Sequence, residues 1–313
     1  MTDGFRADVL RGLSLPQKAI PARWLYDARG SALFERIAQL PEYYPTRTEA
    51  ALLGRRAGEI AALAGPGRAV VELGAGSAAK TPTLLAALDA PAAYVPVDIA
   101  GATLEEAAAA LRPRFPALPV LPVAADFLAA LPLPDAVRGL PMLGFFPGST
   151  IGNLPPAAAV DLLRRLRAAL GGEARLLIGM DLVKPVPVLL AAYDDAAGVT
   201  AEFNRNLLRR VNRELDGDLD PAAFRHRAPW NADHARIEMH LEATRDLRFT
   251  VAGRRFAMRA GETIHTENSH KYDRSSADAL LRAARWEPRA PWTDERGWFA
   301  LVLADAAPEP FAP

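Results

Sequence analysis

The sequence contains no cysteine. That absence removes disulfides, thiolate zinc sites, iron–sulfur clusters and cysteine nucleophiles together, and it fits a reducing compartment. There is no excess of charge either: 37 Lys and Arg stand against 37 Asp and Glu, so the chain has no electrostatic footprint for a phosphate backbone or an anionic membrane, and nucleic acid is not an expected partner. No apolar run approaches the ~20 residues of a membrane span. The opening residues mix Asp3, Arg6, Asp8 and Arg11 with single apolar side chains, unlike the charged start and apolar core of a secretory signal. A cytoplasmic protein is the expectation. Internal repeats and low-complexity segments are also missing, and the richness in Ala, Pro and Arg reads as background bias. What is present is core material: half of the 313 residues are apolar, enough for a large core or two packed domains.

Local pattern locates that core. The run AVVEL from Ala69 to Leu73 is short, β-rich and unbroken, ends in Gly74-Ala75-Gly76, and leads into a helical stretch from Pro82 to Leu88. Pro82 falls in the first turn, where a backbone amide has no intrahelical partner to lose. Similar strands follow at Ala93 to Val97 with Asp98, Pro119 to Ala124 with Asp126, Met142 to Phe146, and Arg175 to Met180 with Asp181. Helical segments from Ala102 to Leu111 and Ala157 to Leu170 separate them. Apolar strands alternating with helices predict a parallel sheet covered on both faces, with ligands at the carboxyl ends of the strands. Beyond Asp181 a helix from Ala201 to Leu215 and alternating strands Arg236 to Leu241, Leu247 to Val251 and Arg255 to Arg259 predict an α+β insertion. Ser275 with Asp278 gives a capping-box signal for a helix reaching about Ala284. Strands Arg289 to Trp292 and Trp298 to Ala304 around a tight Asp294–Gly297 turn then close the sheet as a hairpin. This is an α/β chain, a doubly wound Rossmann-like sheet of the class I methyltransferase arrangement more than of a nicotinamide dehydrogenase.

A lone Gly-x-Gly after a strand is also an ordinary turn, and the third glycine of the dinucleotide fingerprint is missing. The context is sharper, because Glu72, Asp98 and Asp126-Phe127 put acids at three consecutive strand ends. Such a set suits S-adenosylmethionine: its ribose offers hydroxyl donors to Asp98, and its adenine an amino donor to Asp126 and a face to Phe127. Glu72 would repel a pyrophosphate but tolerates an ammonium and a sulfonium, while Lys80 and Thr81 could meet the carboxylate. The bland reading makes these acids solvated strand ends or helix caps. The loop Pro147-Gly148-Ser149-Thr150-Ile151-Gly152-Asn153-Leu154 follows the strand beside the first one, where an acceptor would meet the methyl group. It reads equally as a turn with Asn153 capping the helix at Pro155-Pro156. Tyr43-Tyr44 beside Pro45 reads first as a packed aromatic corner, and Glu267 with Ser269 as one side of a solvated strand edge. The five histidines have neither thiols nor a His-x-x-x-His pattern beside them, so no metal is expected.

Several longer segments carry more information: WLYDARGSALFERI (Trp24 to Ile37), LPEYYPTRTEA (Leu40 to Ala50), VELGAGSAAKT, FFPGSTIGN, the stretch from Asn204 to Met239, and TENSHKYD (Thr266 to Asp273). Through them most of the chain resembles the histidine-specific N-alpha-methyltransferases of ergothioneine biosynthesis. The resemblance implies transfer of three methyl groups to the α-amino nitrogen of L-histidine, giving the betaine hercynine. It also implies an α+β substrate-binding domain from 6–47 and 183–271, a methyltransferase core from 48–182 and 272–313, and histidine between them. By motif match, Tyr26 lies near the amine and Tyr43 helps enclose the imidazole. Asn153 and Tyr193 hold the carboxylate and amine end, with Gly148 and Thr150 lining the approach. Met239 packs near the ring, and Glu267 with Ser269 bonds an imidazole nitrogen. Gly74, Gly76, Lys80, Thr81, Asp98, Asp126 and Phe127 are the cofactor residues.

Methyl transfer from a sulfonium to a neutral amine needs alignment more than a strong base. The α-amine must still lose its proton, to water helped by Tyr26 or Asn153. The remaining alternatives are a methyltransferase of this fold acting on another amine and a non-catalytic sensor of the cofactor or of histidine. The neutral charge favours a monomer.

Overall fold

The computed structural model describes residues 2–76, 78–129 and 131–308. The chain divides into two compact units, Met1–Tyr44 with Lys184–His270, and Pro45–Val183 with Lys271–Pro313.

The second unit is built on a seven-stranded sheet. In chain order its strands are Ala69–Leu73, Ala93–Asp98, Val123–Ala124, Met142–Phe146, Arg175–Asp181, Trp286–Thr293 and Phe299–Ala306. Numbered in that sequence they lie in the spatial order 3-2-1-4-5-7-6. The first five run parallel, and only the seventh opposes its neighbours. Two of the central strands, AVVEL and MLGFF, are buried at every position, as a sheet covered on both faces requires. Side chains alternate between two cores: Val71, Leu73 and Phe146 pack with helix Pro156–Leu170 on one face, while Val70, Tyr94 and Phe145 pack with Leu52, Leu53 and Ile60 on the other.

Three sequence expectations shift here. The third strand shrinks from Pro119–Ala124 to Val123–Ala124, with one isolated bridge between Tyr94 and Val120, because Pro119 and Pro122 supply no amide to a ladder. The helix expected from the Ser275 signal is capped by Asp273 instead, whose carboxylate accepts the Ser276 amide while the Ser276 hydroxyl accepts the Asp273 amide. The closing hairpin is longer than its predicted core, from Trp286 to Ala306, and its outer strand carries Pro288 and Pro291 beside a register shift, a tolerable place for proline on a sheet edge.

The first unit holds a smaller sheet. Its strands lie in the order Lys18–Ala19, Thr263–His270, Arg236–Ala243 and Phe224–Arg227, with Trp230–Asn231 also paired to Arg236–Ala243. A separate hairpin joins Leu247–Val251 to Arg254–Met258. Strand Arg236–Ala243 alternates strictly, burying Ile237, Met239, Leu241 and Ala243. Helix Val199–Leu215 buries Phe203, Leu207, Leu208 and Val211. Asp27 caps helix Ala28–Gln39 and also accepts Asn206 Nδ2 (2.7 Å) and Arg213 Nη2 (2.6 Å), tying the two helices together. Burial alone would raise the Asp27 carboxyl, but these bonds and that of the Gly30 amide outweigh it and hold the group below its ordinary range. Among the described residues no helix is long and apolar enough to cross a membrane.

Candidate active site

In the second unit the parallel strands bring the expected cofactor residues to one edge of the sheet. Gly74 and Gly76 both turn at positive φ (+66° and +49°), a region that favours glycine, and the Gly74 amide reaches Val97 O of the adjacent strand. Asp98 stands beside this turn, its Oδ2 accepting the Gly76 amide (3.0 Å) and its Oδ1 the Ala100 amide (2.9 Å). Asp126 Oδ1 accepts the Leu128 amide (2.9 Å). Phe127 meets Phe146 edge-on at 5.9 Å, and a Cβ on Gly74 would stand 3.8 Å from the Phe127 ring. Each Asp98 oxygen keeps a second lone pair for a hydroxyl donor. Half-exposed acids beside a half-exposed ring fit an uncharged ribose and adenine.

One acid behaves differently from the expectation. Glu72 points into the core at 2% exposure. It accepts Thr81 Oγ1 and Tyr94 Oη at 2.6 Å each, and burial pushes its carboxyl up to about 7 despite those bonds. Thr81 lies beneath the turn with it. Its hydroxyl goes to Glu72 and its amide to Ala78 O, so it braces the turn from beneath and has no side-chain donor to spare.

The acceptor loop begins with Gly148 at φ +80° and Ser149 at φ +56°. A 3-10 turn from Thr150 to Asn153 follows, with Thr150 Oγ1 on Pro147 O (3.1 Å). Helix Pro156–Leu170 starts from Pro155 with no side-chain cap, so Asn153 does not serve as the helix cap. Ser149 Oγ accepts the Asp181 amide (2.9 Å), and Asp181 pairs with Lys271 at 2.7 Å with both side chains at or below 1% exposure.

Sequence reasoning missed Glu49. Its side chain is fully buried, takes the Gly148 amide (3.0 and 2.9 Å) and pairs with Lys80. The signal was available, since Glu49 falls on the apolar stripe of helix Tyr44–Ala64 with Leu52, Leu53 and Ile60.

In the first unit, aromatic side chains gather around the expected acceptor residues. Tyr43 lies 6.2 Å from Tyr193 and 6.0 Å from Phe34, ring to ring, while Tyr26 packs edge-on against Phe34 and Phe203. The adjacent Tyr44 instead lies beneath the Lys184 ammonium at 4.4 Å. Tyr193 Oη and Ser269 Oγ are 2.6 Å apart. His226 Nε2 donates to Tyr193 O (2.8 Å) and its Nδ1 accepts Asn204 Nδ2 (3.0 Å); burial lowers its pKa, which favours this neutral form. Met239 and Glu267 face each other across neighbouring strands, just past a register shift between His265 and Glu267.

Among the described residues, Glu238, His240 and His265 also gather their ligating atoms within 4.8 Å. Glu238 is already engaged by Arg236 (2.8 and 2.6 Å), Asn231 (2.9 Å) and His240 (3.0 Å). Burial would raise this carboxyl, but those bonds outweigh it and lower it to about 2. It is a closed polar network on the sheet face away from Met239.

The strand order, the single opposing strand and the acid-lined glycine turn define a class I S-adenosylmethionine-dependent methyltransferase. The family model described as "Histidine-specific methyltransferase, SAM-dependent" matches residues 5–306, and the chain belongs to that family. It is 44% identical to the histidine N-alpha-methyltransferase of Mycolicibacterium smegmatis, covering 96% of this chain and 95% of that one. It is 41% identical to the protein of the same name from Mycobacterium tuberculosis, covering 96% and 94%. A third relative, ergothioneine biosynthesis protein 1 of Neurospora crassa, is 30% identical over 88% of this chain and 32% of its own length.

Proposed function

We propose that the protein transfers methyl groups from S-adenosylmethionine to the α-amino nitrogen of L-histidine, three in succession, giving hercynine as the first step of ergothioneine biosynthesis. The observation that carries this is the 44% identity, over nearly the whole of both chains, to a histidine N-alpha-methyltransferase.

When bound, S-adenosylmethionine supplies a methyl group activated on a sulfonium. The second unit holds it: Asp98 takes the ribose hydroxyls, Asp126 the adenine amino group, Phe127 the adenine face, and Lys80 the carboxylate, with Gly74 and Gly76 allowing close backbone approach. From the same unit Gly148, Thr150 and Asn153 shape the acceptor loop, with Asn153 holding the amino-acid end of histidine. The first unit selects the side chain. Glu267 and Ser269 accept and share an imidazole N–H, Tyr43 and Met239 enclose the ring, and Tyr193 keeps Ser269 in place through its hydroxyl.

Because an ammonium has no lone pair, each transfer follows loss of a proton from the α-nitrogen, to water held by Tyr26 or Asn153. The rest of the task is alignment, which the residues holding the amino-acid end of histidine would supply. An apolar competitor offers Glu267 no N–H to accept, and that difference gives the selectivity. We infer further that the enzyme works as a cytoplasmic monomer without a metal.

The test is incubation with S-adenosylmethionine and an equimolar amino-acid mixture, followed by mass. Histidine alone should gain up to three methyl groups. An unchanged histidine with demonstrable cofactor binding would leave the methyltransferase and overturn the acceptor; binding without any turnover would make the chain a sensor.

A further inference from the structure

Glu49 is a carboxylate where the fold would place a hydrocarbon. It lies on the inward stripe of helix Tyr44–Ala64, in line with Leu52, Leu53 and Ile60, and its side chain is fully buried. Burying a charge there is unfavourable unless it is paired and hydrogen-bonded. Both conditions are met, and by two segments far apart in sequence. Glu49 Oε2 pairs with Lys80 Nζ, at the end of the glycine turn where helix Thr81–Ala87 begins. Both of its oxygens accept the amide of Gly148, the first peptide of the acceptor loop. The backbone makes room for it as well, because a Cβ on Gly179 of the adjoining strand would collide with Glu49 Oε1. Gly148 in turn lies beside Lys80, a Cβ at that position falling 3.9 Å from Lys80 Nζ. Carboxylate, ammonium and amide thus form one cluster at the carboxyl ends of the first, fourth and fifth strands.

Resting on the methyltransferase reading above, we infer that Glu49 is a positioning residue that sets the cofactor turn and the acceptor loop against each other through Lys80 and Gly148. With no exposed side-chain surface it acts on bound molecules through its neighbours, and Lys80 and Gly148 are the two it hydrogen-bonds. One N–H of the Lys80 ammonium is directed to Glu49, which fixes where its other donors point for the cofactor's carboxylate. The Gly148 amide is held at a residue with φ +80°, which fixes the start of the turn that carries Thr150 and Asn153. Proximity catalysis depends on such registration, since small misplacements of aligned reactants are costly in rate.

The two bonds can be separated by substitution. Glu49→Gln keeps an amide oxygen for Gly148 but removes the charge facing Lys80. It should raise the Kd for S-adenosylhomocysteine and the KM for S-adenosylmethionine about tenfold while leaving the KM for histidine within about twofold. Glu49→Asp keeps the charge but is one methylene short of Gly148, and should shift the burden to the histidine KM. A third variant guards against a simple folding defect: adding Glu49→Gln to Lys80→Met should cost no further cofactor affinity, because Glu49 acts on the cofactor through Lys80. Calorimetric titration and initial rates on the full-length protein read all three. Folded variants whose constants all stay within about twofold of wild type, or additive losses in the double variant, would overturn the inference and leave the functional reading intact. A wild-type protein that binds no S-adenosylhomocysteine would remove that reading and the inference with it.

Discussion

Tyr193 and Ser269 share a buried hydrogen bond of 2.6 Å between their hydroxyls, although 76 residues separate them in the chain. The bond links helix Val186–Tyr193 to strand Thr263–His270, and His226 steadies it by donating to the carbonyl of Tyr193. Two residues matched to different motifs are therefore one unit. Tyr193→Phe and Ser269→Ala should each raise the histidine KM by a factor of about 5–10, the double variant no more than either alone. Steady-state kinetics on the four proteins gives the coupling, and strictly multiplicative losses would show that the two hydroxyls act independently.

Glu267 lies opposite Met239, one step beyond the register shift at His265, and a bulge of this kind re-aims the side chains that follow it. Glu267 is 8% exposed, so its carboxylate is out of bulk solvent. On the proposed role, replacing it by Ala removes the acceptor for an imidazole N–H and should weaken histidine binding about 10- to 100-fold, with kcat changed less and other amino acids gaining ground. Glu267→Gln, which keeps an acceptor oxygen, should lose less than Ala. Competition assays with amino-acid mixtures check both, and an unaltered preference for histidine in the Ala variant would place recognition elsewhere.

The core of the second unit was legible because its strands are continuous apolar runs with sharp ends: Ala69–Leu73 and Met142–Phe146 match their predicted limits residue for residue. The third strand was overread because composition ignores which amides proline removes. The place of Asp98 at a strand end was legible from the strand limits alone. Glu49 was legible only as an acid on the apolar stripe of its helix; its pairing with Lys80, the Lys271–Asp181 pair and the inward turn of Glu72 were not, since such pairing is a property of packing and leaves no local pattern. The small sheet was half legible. The alternation of Arg236–Ala243 marked it, but Thr263–His270 mixes buried polar residues such as Thr266, Glu267 and Ser269 into its length and so hides its apolar period.

Glu72 makes stability depend on pH in a direction opposite to that of most carboxylates. Its pKa is raised to about 7 in the fold, from an ordinary 4.5. Between those values the folded chain holds a proton that the unfolded chain has released, so stability falls as pH rises from about 4.5 to 7. Glu72→Gln cannot titrate and lacks this slope. Denaturant unfolding of both proteins should show the wild type at its greatest advantage near pH 5 and losing ground towards pH 8. Parallel curves for the two proteins across that range would mean that Glu72 does not change its protonation on unfolding.

The Asp181–Lys271 pair tests how far an ion pair in the second unit's core shapes the acceptor loop. Both side chains are at or below 1% exposure, and the Asp181 amide donates to Ser149 at the loop's left-handed residue. Lys271→Met leaves a buried carboxylate without its counter-charge, which costs about 3–5 kcal/mol, whereas removing both charges together is far milder. The Lys271→Met/Asp181→Leu protein should therefore unfold in urea closer to wild type than Lys271→Met does, because it buries no lone charge. The backbone amide of residue 181 survives the double change, so the bond to Ser149 is retained and the histidine KM should stay nearer wild type in the double variant than in the single one. A double variant less stable than the single one would mean that the pair contributes net stability beyond the mutual neutralisation of its charges.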